Sequence, residues 1–184
     1  HRPGLRDEAY IPHAELVEYT DRLRIVISPT AGRVIQTAAR DFQDFLLVSM
    51  GISVPLVYAD TQTVSEPALT VAVQDKNGPL TIPASYRIRT GVPHIEILGA
   101  DERGCAQALY QLEDQMTMRR APYLTPGEST FAPAFSPRMI HSGYGMDQFP
   151  DQHLAAIARR GMDSILVFVK DVDQTPAGYL CFHD

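Results

Sequence analysis

The residues best placed to do chemistry cluster near the C-terminal end of the chain. His141 sits within the run PRMIHS, and Lys170, Asp171 and Asp173 directly follow the apolar run SILVFV. An imidazole, an ammonium and two carboxylates, each just past or within a strand, are the groups that bind hydroxyls or move protons. Each also has a plain structural reading: a packed, hydrogen-bonded histidine and solvated loop charges. His94 and Glu96 in PHIEI fall on one face of a strand by its two-residue period, a weaker candidate for metal or catalytic work. The six histidines never form HExxH, and Cys105 and Cys181 lack the CxxC or Cys/His spacing of a zinc site. Cys105 reads as a small core residue on a helix, and both cysteines read as free thiols. GADERG has neither the glycine spacing nor the lysine of a phosphate loop. The sequence thus calls for no metal and no cofactor.

These groups need elements to hold them. LRIVIS, from Leu23, is β-branched and bounded by Pro29, which predicts a strand. Thr30 is positioned to cap the helix that follows, where Val34, Ile35, Ala38, Phe42, Phe45 and Leu46 recur at helical spacing and Gly51 supplies the stop. LTVAVQD alternates as a strand and DKNGP turns the chain. SYRIRT and HIEILGA flank residues 91–93 as an antiparallel hairpin. Asp101 then caps a second helix whose apolar face carries Cys105, Ala106, Leu109, Leu112 and Met116. Gly104 costs that helix propensity, which predicts a close approach of helix to sheet. The order β-α-β-β-β-α predicts an α+β unit over residues 1–120, with a mixed or largely antiparallel sheet and two helices on one face.

Residues 121–134 are rich in Pro and Gly and read as a linker. From 135 to 184 the pattern is strand, short helix, continuously apolar strand. Pro150 stands at the first turn of that helix and Gly161 at its end. Continuous apolarity suits a strand buried on both faces, as in a parallel sheet wrapped by helices. One such βαβ unit cannot bury itself, so it reads as the start of a barrel. Its exposed edges and apolar face predict self-association through residues 135–184, or poor order there.

A net charge of −6 supports neither nucleic acid nor an anionic membrane surface as partner, and no apolar run approaches the roughly 20 residues that span a bilayer. There is no tryptophan to serve as a broad sugar-stacking platform. His1 opens no signal-peptide pattern, as in a matured bacterial periplasmic or secreted chain and equally in a cytoplasmic one.

SYRIRT, HIEILGADERGCAQALYQLEDQM and FSPRMIHSGYGMD together resemble the N-terminal domain of family 20 glycoside hydrolases, the β-N-acetylhexosaminidases, running into their (β/α)8 barrel. The resemblance covers residues 23–169. It implies a zincin-like shape for the first domain, a structural rather than catalytic role for it, and a carbohydrate substrate. Pro137, Arg138, Gly143 and Asp147 fall in register with the family's first barrel strand; Arg138 there, His141 on the same strand and Asp171 just past the second strand are the candidate substrate contacts. The arginine that grips sugar hydroxyls in that family is replaced by Ser142, and the histidine-bearing second-strand segment by VFVKD. The family's Asp-Glu pair lies on a later strand, so no catalytic residue is expected before residue 184. Glycoside hydrolysis agrees: it needs two groups flanking the anomeric carbon, gathered from the ends of several barrel strands. The same pattern suits an α-glucuronidase-like enzyme, and a free-standing, non-catalytic carbohydrate-binding or interaction module is the alternative from another class.

Overall fold

The computed structural model describes residues 1–12, 15–141 and 150–166. The chain divides into two compact units, His1–Pro133 and Ala134–Asp184.

The first unit holds eight strands and two helices in the order β1 (Val17–Glu18), β2 (Arg24–Ile27), α1 (Arg33–Met50), β3 (Leu56–Tyr58), β4 (Ala68–Val73), β5 (Tyr86–Thr90), β6 (His94–Gly99), α2 (Glu102–Arg119), β7 (Tyr123–Leu124) and β8 (Gly127–Phe131). Six of the strands form one mixed sheet, ordered β3-β2-β4-β6-β5-β8. β3, β2, β4 and β6 run parallel to one another, and β5 is antiparallel to both β6 and β8. A separate antiparallel pair joins β1 to β7.

Strand alternation gives the sheet two unlike faces. Ile25, Leu69, Ile95 and Thr90 lie in one cross-strand row, and Ile27, Val71, Ile97 and Ile88 in the next. Both rows are buried under the helices, against Ile35, Phe42, Leu46, Leu109, Leu112 and Met116. The edge-to-face contact of Tyr19 on Phe42, with centroids 5.8 Å apart, extends this core. The expected helix faces are therefore correct at every position but Val34, which is 44% exposed. Val34 stands beside the buried Ile35 in the first turn, about 100° round the helix from it and so off the core face.

The helix ends show how local chemistry sets the boundaries. Thr30 does not cap α1: its hydroxyl pairs with that of Ser28, 2.9 Å away, and Gly32 takes the N-cap position without a side-chain bond. Gly51 stops α1 in the left-handed conformation, at φ 71°. Asp101 caps α2 by accepting from the Gly104 amide at 2.9 Å. Its other oxygen accepts from the Ala84 amide, also at 2.9 Å, and so holds Ala84 at φ 59°. Gly104 is the close approach its cost implied, since a Cβ there would run into the Ser85 carbonyl.

Residues 121–134 differ from the expected linker. β7 and β8 lie within them, and β8 supplies the sixth strand of the sheet, with Phe131 stacked on Tyr86 at 5.2 Å. The Pro and Gly there punctuate two short strands instead of breaking the domain, and the unit boundary falls after Pro133.

The second unit contains β9 (Met139–His141), α3 (Asp151–Arg159) and β10 (Ser164–Leu166). β9 and β10 pair in parallel, Met139 opposite Ser164 and His141 opposite Leu166, so this is a βαβ unit. Burial on both faces is not seen in the described part of its second strand: Leu166 is 46% exposed and Ile165 half-buried.

Candidate functional site

The parallel pair fixes where each candidate in the second unit stands. Arg138 and Asp163 precede β9 and β10, at the N-terminal end of the pair. The Asp163 amide donates to the Arg138 carbonyl at 2.9 Å, and the Arg138 amide donates to Asp163 Oδ1 at 2.9 Å. Their side chains, 13% and 12% exposed, face each other with Nε 3.8 Å from Oδ2. This ties the starts of the two strands together.

His141 closes β9 at the opposite end and is exposed. Three residues of strand put it about 10 Å from Arg138 at ~3.3 Å per residue. Ligand sites of parallel βα folds collect at the C-terminal ends of strands, while the N-terminal face carries stability. His141 thus stands at the C-terminal end of the parallel pair and Arg138 at its N-terminal end, held by Asp163. Lys170, Asp171, Asp173, Ser142 and Asp147 lie outside the described residues, as does Cys181.

In the first unit, His94 and Glu96 do share a face, the one turned away from the helices. Glu96 is engaged there by Arg89: Nη1 donates to Glu96 at 3.1 Å, while Nε and Nη2 donate to Glu128 at 3.1 and 2.8 Å. The Glu128 hydrogen bond, with the charge of Glu96, raises the guanidinium's proton affinity still further. One arginine therefore spans three adjacent strands, β8, β5 and β6, and pairs with one oxygen of Glu96. Among the described residues no group of three or more His, Cys, Asp or Glu is arranged to hold a metal ion.

Cys105 is a core residue, as its helical position implies. Its Sγ donates to the Ala72 carbonyl at 3.2 Å, and burial pushes its pKa up to about 12. At neutral pH it is a thiol, which is a poor nucleophile.

Sequence reasoning missed the cleft on the open face of the sheet. It measures about 700 Å3 and is bordered by segments 61–64 and 74–79, with Thr70, Arg87, His94 and Glu96 on its floor. The signal was present in SYRIRT, where Arg87 and Arg89 alternate with the buried Ile88. What it lacked was any way to bring the two loops together over that face.

No protein-family model matches the chain, and no curated protein matches it. Solved structures do. The GH20 β-N-acetylhexosaminidase of Streptomyces coelicolor A3(2) superposes with a TM-score of 0.67 at 15% identity, over 89% of this chain and 33% of that one. A mutant Streptomyces plicatus β-hexosaminidase in complex with its product GlcNAc gives 0.65 at 16% identity, over the same shares. A family GH115 4-O-methyl-α-glucuronidase with specificity for decorated arabinogalactans gives 0.59 at 10% identity, over 83% of this chain and 25% of that one. The chain thus spans about a third or less of the length of these structures. At such identities the likeness is one of fold, and the fold is a mixed-sheet α+β arrangement found in glycoside hydrolases.

Proposed function

We infer that this chain is the N-terminal region of an exo-acting glycoside hydrolase of the β-N-acetylhexosaminidase kind. Its first unit is a non-catalytic, structural accessory domain with a zincin-like shape. Its second unit opens a (β/α)8 barrel, and the rest of that barrel is its partner and carries the catalytic pair. His141 and Asp171 contact the carbohydrate at the mouth of the barrel.

The supporting observation is the extent of the structural likeness, 89% of this chain against 33% of each hexosaminidase. A first unit ending at Pro133 is too short to fill that share, so the likeness reaches into the βαβ unit. The parallel pairing of β9 with β10 supports the same reading, because parallel neighbours need a crossover and covered faces.

The α-glucuronidase-like reading is favoured by Ser142, which replaces the sugar-gripping arginine of the hexosaminidases, and by the fold likeness to the GH115 enzyme. Two aryl substrates separate these readings. The 184-residue chain alone is expected to hydrolyse neither aryl N-acetylglucosaminides nor aryl glucuronides. Extended by its downstream coding sequence, it is expected to cleave one of them. Turnover by the 184-residue chain, abolished by a substitution within it, would refute the assignment. A downstream sequence without further βα repeats would favour the free-standing module.

A further inference from the structure

The cleft on the open sheet face has a floor whose polar groups are not all spoken for. Arg89 is engaged by Glu96 and Glu128. The side chain of Arg87, two residues away on the same face and half-buried, makes no hydrogen bond or ion pair among the described residues. Its cross-strand partners are Leu98 on β6 and Thr130 on β8, and Ala72 lies beyond Leu98 in the same row. A guanidinium that no protein carboxylate engages, set beside apolar neighbours in a cleft, is open to a planar carboxylate through a bidentate pair.

The floor continues from Arg87 toward the other end of the sheet. Glu96 and Thr70 stand in one row, and His94 lies four residues from Leu98 along β6. That is about 13 Å at ~3.3 Å per residue, a trough instead of a point. The imidazole of His94 also makes no hydrogen bond among the described residues. Carboxylate, hydroxyl and imidazole offer both acceptors and donors, as sugar hydroxyls require. Asp75 at the rim adds a further acceptor. The volume, about 700 Å3, falls within the ~300–1,000 Å3 of small-molecule sites.

We propose that this cleft binds an oligosaccharide bearing a uronic acid, with the carboxylate on Arg87 and hydroxyls on Glu96, Thr70 and His94. That the Arg87 guanidinium is open to an anion stands on geometry alone; that a sugar carries the anion rests on the glycosidase reading. The site lies wholly in the first unit, which would then hold substrate as well as support the fold.

The test titrates the full 184-residue chain, at low salt, with trigalacturonate, with a glucuronate-bearing xylo-oligosaccharide, with the methyl ester of each, and with inorganic phosphate. Heat and amide shifts are followed together. Binding of at least one acid is expected, weakened tenfold or more by esterification, with shifts in β5, β6 and the 74–79 loop. Arg87→Gln should weaken it equally, whereas the exposed Arg22→Gln should not. The ester comparison uses the unaltered chain, so it stands even if Arg87→Gln misfolds. Equal binding of ester and acid, phosphate competing as well as the acids do, shifts elsewhere, or no binding of either acid would each overturn the proposal. None of these outcomes touches hydrolysis by the longer protein, so the two ideas fail separately.

Discussion

At the scale of single residues, the core sets the largest effects. Leu109 is fully buried between α1, α2 and the sheet. Leu109→Ala is expected to cost about 2–5 kcal/mol, read from denaturant unfolding, because its fully buried site is walled by the core cluster and cannot readily collapse into the gap. Cys105 makes stability depend on alkaline pH. Its pKa is about 12 folded against ~8.5 for an ordinary thiol, so above pH ~8.5 the unfolded chain loses a proton that the folded chain keeps. The unfolded state then binds fewer protons, and stability falls as pH rises from ~8.5 toward 12, by up to about 1.4 kcal/mol per unit. Tyr19, whose pKa burial also raises, adds to the decline above its ordinary value. Unfolding curves at pH 8 and 10.5 should show it, and Cys105→Ala should flatten the slope between them. Arg87, by contrast, was written in the sequence as an alternating arginine, but its lack of a partner was not: that depends on where Glu96 and Glu128 send their oxygens.

Among the elements, those with strong periodicity were legible and those without it were not. α1, α2 and the β5–β6 hairpin follow directly from apolar spacing of 3.6 and 2 and from the Asp101 and Gly51 signals. β3 and β7 are too short to show a period. β8, GESTF, is exposed at all five residues, so it carries no burial pattern to read. Parallel pairing of β2 with β4 and of β4 with β6 joins segments far apart in sequence, which local pattern cannot specify. The seat of α2 on the sheet gives the sharpest test at this scale. Gly104→Ala ordinarily gains about 0.5–1 kcal/mol in a helix. Here the added methyl meets the Ser85 carbonyl, and we expect a net loss of about 1–3 kcal/mol. A stabilised Gly104→Ala variant, measured by thermal melting, would show that the helix can lift without penalty.

For the whole molecule, the βαβ unit leaves apolar side chains uncovered. Phe135, Met139, Leu154 and Leu166 are between 38% and 68% exposed. We expect the 184-residue chain to self-associate through residues from about 135 onward, and a chain ending at Pro133 to stay monomeric and folded. Light scattering on both decides this; a monomeric full chain would mean that this surface is covered from within. A chain ending at Arg120 is expected to do worse than one ending at Pro133, because it loses β8 and bares Tyr86.

The unit that ends at Pro133 finishes its sheet with its own last strand. That strand pairs along β5, and Glu128 on it is stitched inward by Arg89. A segment built this way behaves as a cassette: cut after the closing strand, it carries away a whole fold.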